Sequence, residues 1–144
     1  MATDIKAKRF TDGTAAAATT IAAAQTLGGD GNMTLAGTAA TFGGTNLGQK
    51  ITLVSTGNIS AVTFTITGTD PTGASQNEDL TGPNNSTVTS TKYFNTVTQI
   101  AASGAVGTNT SSGVAADQGG TLFAGRTRVR GMHAVNAGAG TIFF

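Results

Sequence analysis

The stretch Val62-Thr63-Phe64-Thr65-Ile66-Thr67 alternates apolar and hydroxyl side chains without an error. On an extended chain successive side chains leave opposite faces, so Val62, Phe64 and Ile66 face a core and three threonines face water. That is a half-buried β-strand. Turn signals bound it: Gly57-Asn58 before, and Thr69-Asp70-Pro71-Thr72-Gly73 after, with Pro and Gly at turn spacing.

Working outward, Ile51-Thr52-Leu53-Val54 is a strand on the N-terminal side. On the other side the chain returns through Glu78-Asp79-Leu80 to a second turn at Gly82-Pro83-Asn84-Asn85, and Val88 to Thr91 forms a short strand. Phe94, Val97 and Ile100 are spaced by three, which fits neither a strand nor a helix; the flanking threonines predict a strand with a bulge near Asn95. Upstream, the run AAAATTIAAA over 15–24 has helical propensity from alanine, yet Ile21 is its one bulky apolar residue, so extended structure is expected. Gly28 to Asn32 reads as a tight turn, with Met33-Thr34-Leu35 resuming a strand. Residues 101–120 are rich in Gly, Ser and Ala, with only Val106 and Val114 to anchor them, and read as a loop or an edge strand. Closing strands are expected at Leu122-Phe123, Arg126 to Val135 and Thr141 to Phe144.

Strands 8 to 12 residues apart with turn signals between them predict an all-β fold, an antiparallel β-sandwich or a partly closed barrel. It comprises one domain over 15–144 and a basic, extended N-terminal arm over 1–14, where Lys6, Lys8 and Arg9 precede the turn signal Thr11-Asp12-Gly13.

Composition narrows the function. Ala, Gly and Thr number 23, 21 and 28, half of the 144 residues, while charged residues make 10% against about 25% in an average domain. There is no Cys, one His (His133) and one Glu (Glu78), which excludes disulfides, thiolate nucleophiles and Cys/His zinc sites. Leu, Ile, Val and Phe number only 28, so the core is thin and burial against a partner is expected. No stretch approaches the ~18 apolar residues of a membrane helix, and residues 1–10 lack the apolar heart of a secretory signal. A soluble protein made in a cytoplasm is expected, in which the sequons at Asn32, Asn58, Asn84, Asn85 and Asn109 stay unmodified.

Several constellations fail on their chemistry. His133 with Asp117 and a serine lacks a nucleophile elbow. Gly43 to Lys50 has the glycines of a phosphate loop but not its Gly-Lys-Ser/Thr ending. A calcium loop from Asp30 would need Glu at its twelfth position, where Thr41 stands. Asp70, Glu78 and Asp79 either approach across a hairpin to hold a hard cation or serve as solvated turn residues. The Thr-x-Thr runs suit an ice-binding array less well than the wet face of a sheet. No cofactor is expected. Arg126, Arg128 and Arg130 would share one face of a strand about 7 Å apart, suited to an acidic partner or to plain exposure; with a net charge of +1 and no Trp, nucleic acid is not expected. Phe143 and Phe144 either dock on a partner or close the domain's own core.

The text VTFTITGTDPTG, EDLTGPNN and TVTSTKYFNTVTQI, led in by QTLGGDGNMTL at Gln25 to Leu35, resembles the small β-sandwich structural proteins encoded among the virion genes of tailed bacteriophages, several of which decorate or cement capsids. The resemblance covers about 25–105 and implies a non-enzymatic protein of the capsid surface, assembled in the host cytoplasm as a homo-oligomer, most often a trimer, on the major capsid protein. Lys6, Lys8, Arg9, Arg126, Arg128, Arg130, Phe143 and Phe144 are then the candidate docking residues. The alternative is a tail, neck or fibre-attachment component with a host-surface adhesion role.

Overall fold

The computed structural model describes residues 9–120. In chain order the strands are β1 (Ala17–Leu27), β2 (Gly31–Asn32), β3 (Gly48–Ser55), β4 (Thr63–Thr69), β5 (Ser75–Thr81), β6 (Thr87–Thr89), β7 (Thr96–Ala102) and β8 (Val106–Gly119), with a 3-10 turn at Gly37–Ala40. They form two antiparallel four-stranded sheets, β1-β8-β3-β6 and β2-β7-β4-β5, packed together and not closed into a barrel. The fold is therefore a β-sandwich, and among the described residues the sheets do not close into a barrel.

The alternation in β4 places the core. Val62, Phe64 and Ile66 are buried, the last two completely, while Thr63, Thr65 and Thr67 reach the outer face. Val97, Ile100 and Leu80 join them from the same sheet, facing Ile21, Ile51, Leu53, Val106 and Val114 of the other. Met33, Phe42, Ile59 and Phe94 come in from connecting segments. Each such side chain contributes roughly 1.5–3 kcal/mol on burial.

Three local expectations are corrected. Residues 106–119 are neither loop nor edge: β8 is an interior strand, paired with β1 on one side and β3 on the other. Its sequence hides this because Ser111, Ser112 and Gly113 are buried for their smallness and their backbone bonds, leaving no apolar period to read. At Gly113 a Cβ would lie 1.8 Å from the Ala17 carbonyl oxygen, so only glycine admits the bulge of β1 that crosses there. The strand expected at Met33 to Leu35 falls two residues earlier, at β2. After Asn32 the chain leaves that sheet for the other: Met33 N–H still donates to Ile100 (2.8 Å), but Ala36 N–H donates to Ile21 of β1 (2.8 Å). The bulge expected near Asn95 lies at Thr98, where Thr67 pairs with Gln99 and Gly68 with Val97.

The connection from Ser90 to Asn95 ties the two sheets together. Gln49 and Phe94 exchange two backbone bonds (2.8 and 2.9 Å), and Ile51 N–H donates to the Ser90 hydroxyl (2.8 Å), all on β3. Toward the other sheet, Asn95 N–H donates to Thr69 (2.7 Å) and the Gln76 amide to the Tyr93 carbonyl (2.6 Å). Glu78 on β5 accepts from Thr91 N–H (2.7 Å), the Thr91 hydroxyl (2.9 Å) and Lys92 N–H (2.9 Å). Replacing this carboxylate leaves three donors without their acceptor. Glu78→Ala is expected to lower stability by about 1–2 kcal/mol in urea unfolding, and Glu78→Gln by less, because one acceptor oxygen survives.

Candidate functional site

The three carboxylates considered for a cation do not converge. Asp70 caps its own turn, accepting from Thr72 N–H (2.7 Å), the Thr72 hydroxyl (2.7 Å) and Ala74 N–H (3.0 Å). Asp79 takes the Thr65 hydroxyl (2.6 Å), and Glu78, its neighbour on β5, points to the opposite face. Among the described residues no group of three potential metal ligands forms. Asp117 pairs with Lys50 (3.1 Å), whose ammonium also stands 5.4 Å from the centre of the Tyr93 ring. The hydrogen bond to Asp117, then the field of Tyr93, holds Lys50 above its ordinary pKa. His133 lies outside the described residues.

The threonine face of the second sheet is bonded laterally. Thr69 and Thr96 share a bond (2.7 Å), the Thr98 hydroxyl donates to the Thr67 carbonyl (3.2 Å), and Gln99 donates to Asn32 (2.9 Å). Such a face satisfies itself and is wetted. A depression lined by Thr67, Ser75, Gln76 and Asn77 is open and shallow.

The organised site is the loop 42–47, where the two ends of the described chain meet. Residues 9–14, the described part of the expected basic arm, lie along it. Thr14 N–H donates to Phe42 (2.7 Å), Thr11 N–H to Thr45 (3.3 Å), Thr45 N–H back to the Thr11 hydroxyl (2.8 Å), and the Asn46 amide to the Arg9 carbonyl (2.7 Å). The buried Gln49 adds a bond to Thr14 (2.8 Å) and another to Ala115 (3.2 Å), tying the segment to β8. From the other side Asn95 donates to Gly44 (2.9 Å) and Leu47 (2.6 Å). Asn46 holds a positive φ of 58°, which asparagine tolerates better than most residues.

The far end of β8 arrives at the same place. Gly120 lies so near Asn46 that a Cβ on it would stand 2.2 Å from the Asn46 carbonyl oxygen. Arg9 and Gly120 thus flank one residue. Of the docking candidates Arg9 is described, and it is exposed at this pole; Lys6, Lys8, Arg126, Arg128, Arg130, Phe143 and Phe144 lie outside the described residues. Sequence reasoning missed Thr11, Asn46, Gln49 and Asn95. The one signal was Gly43-Gly44-Thr45-Asn46, glycines and a turn asparagine in a loop that failed as a phosphate site.

Charge is sorted along the same division. Residues 10–120 carry two cations, Lys50 and Lys92, against six carboxylates, whereas residues 1–9 and 121–144 together carry six cations against Asp4 alone. Comparison with protein-family models, curated proteins and solved structures finds no match.

Two measurements test these assignments. A Cβ at Gly44 would lie 1.7 Å from the Thr11 carbonyl, so Gly44→Ala is expected to release residues 9–14: amide exchange of Thr11, Thr14 and Thr45 rises while that of Ile66 and Ile100 is unchanged. The Asp70 carboxyl is held below its ordinary 3.8, first by the Thr72 hydroxyl and then by the turn N–H groups. A depressed native pKa stabilises the fold above 3.8, and that contribution fades as pH falls through the native value. Asp70→Asn is expected to flatten the acid limb of the stability profile by less than about 1 kcal/mol, the group being exposed to screening.

Proposed function

We propose that the chain is a non-enzymatic structural protein of a tailed-phage virion, a capsid decoration or cement protein that docks on the major capsid protein and on sister copies at the capsid surface. The reading rests on the resemblance of residues 25–105 and on one structural observation that supports it. Arg9 and Gly120, the two ends of the described chain, both lie against Asn46, so the sequences bearing Lys6 and Lys8 and bearing Arg126, Arg128, Arg130, Phe143 and Phe144 are joined to the described body at one pole. A small body flanked in sequence by six of the eight basic residues and by Phe143 and Phe144 is suited to holding a larger assembly. A thin core gains stability from such an attachment by mass action.

The resemblance also implies the oligomer: decoration proteins commonly form trimers or dimers around capsid symmetry points, and a trimer is expected. Reconstruction of the purified particle by cryo-EM is expected to show the sandwich on the outer surface of the head. Particles lacking the chain are expected to release their contents at lower temperature. Density confined to the tail or neck, or unchanged head stability together with an empty head surface, would overturn the proposal.

A further inference from the structure

We infer that the groove beneath residues 9–14 is a docking site for the same segment of a second copy, so that neighbouring chains are joined by exchanging these segments. This rests on the contact between sister copies proposed above and names its site.

Residues 9–14 are seated as a bound peptide would be. Thr11 N–H donates to the Thr45 carbonyl, and Thr45 N–H donates back to the Thr11 hydroxyl. Asn46 holds the Arg9 carbonyl, Gln49 the Thr14 carbonyl, and the Gln118 side chain accepts from Gly13 N–H (3.3 Å). Two glycines set the depth of the seat: a Cβ on Gly44 would collide with the Thr11 carbonyl, and one on Gly13 would stand 2.5 Å from the Phe42 carbonyl oxygen. The fit is thus written into this sequence on both sides, which selects a second copy as the occupant.

The groove keeps its shape without its own segment. Asn95 fastens Gly44 and Leu47 from the opposite side, and Gly43 N–H donates to the Asn95 carbonyl (3.2 Å). Gln49 is fixed to Phe94 by two backbone bonds and to Ala115 by its side chain. The link from segment to sandwich is by contrast loose. Ala15 and Ala16 are exposed and make no hydrogen bond with another described residue. In β1, five steps from Ala17 to Ala22 stand opposite two from Val114 to Ser112, which leaves three residues surplus to the ladder. Straightened, two alanines and three surplus residues span up to about 17 Å. That is slack enough to carry the segment out of its own groove and into one beside it.

Exchange replaces each contact by an identical one, so concentration sets the balance. A segment on a short link sees its own groove at about millimolar effective concentration. Dilute chains therefore stay closed, and copies packed side by side exchange.

The chain has no Cys, so introduced cysteines report the exchange. Full-length Thr11→Cys and isotopically labelled Thr45→Cys are mixed, equilibrated at concentrations from about 10 μM to about 1 mM, and oxidised. At the upper end the disulfide between the two chains, identified by mass spectrometry of the linked peptides, is expected to be about tenfold or more as abundant as that between Thr11→Cys and Thr63→Cys, which is exposed on β4. Adding Gly44→Ala to the Thr45→Cys chain fills the groove and is expected to remove this excess, while unchanged amide exchange at Ile66 and Ile100 shows the sandwich intact. A Thr11–Thr45 link no more abundant than the control, or one that survives Gly44→Ala, would overturn the exchange. With both cysteines in one chain, a bridge confined within that chain at every concentration would do the same. A link from Thr45→Cys to a different protein on the particle would overturn the choice of occupant. Exchange in solution by a chain missing from the particle removes the virion proposal and leaves this one standing; a chain on the head without exchange does the reverse.

Discussion

The double ladder of β8 is the constraint on which the rest depends. Fourteen residues with only two bulky apolar side chains occupy the interior of a sheet, bonded to β1 along one side and β3 along the other. Backbone hydrogen bonds, modest individually at about 1 kcal/mol net but costly to leave unmade, hold this strand more than side-chain burial does. Small residues are then a requirement, since Gly113 must admit the bulge of β1 and Ser111 and Ser112 must vanish into the sheet. Because β8 ends at Gly119 beside Gly48, it also carries the chain to the loop 42–47, and so decides where the two ends meet.

Edges are the usual weakness of an open sandwich, and this chain closes them with few charges. The edges at β2 and β6 are only two and three residues long. Along β1, Ala36 N–H takes the Ile21 carbonyl, Thr38 donates to the Thr20 carbonyl, and the Gln25 amide bonds Ala23 and Thr34, covering the middle of the strand. Along β5, Lys92 reaches the Asn77 carbonyl (2.6 Å) while Glu78 and Gln76 hold the segment 91–93 alongside. With its edges occupied in this way, the body is poorly disposed to associate by strand addition.

Legibility in the sequence followed the size of the side chains. β4 could be read residue by residue because Val, Phe and Ile alternate with Thr, and the turn at Asp70 because Pro and Gly mark it. β1 was legible by default, a run of alanines with too little apolar bulk for a helix to bury. β8 was not legible, since Gly and Ser carry no period and an interior strand made of them resembles a loop. The pole was hidden for another reason: its bonds join Arg9, Thr11 and Thr14 to residues 42–49, and Gln118 to Gly13, contacts 28 or more positions apart that no local pattern announces. The basic residues themselves were plain in the sequence, but not that Arg9 and Gly120, over a hundred positions apart, both lie against Asn46.

That common origin changes what the small net charge means. A chain with net charge +1 looks electrostatically indifferent, and averaged over the molecule it is. Sorted by place, a body with four carboxylates in excess carries two ends with five cations in excess. Screening over about 8 Å at physiological salt prevents distant charges from cancelling one another, so a partner meets local fields and not the sum. The low charge content, the shortage of bulky core residues and the covered edges then belong to one design: the described body is a weakly acidic scaffold, and six of the eight cations stand outside residues 10–120 in the sequence.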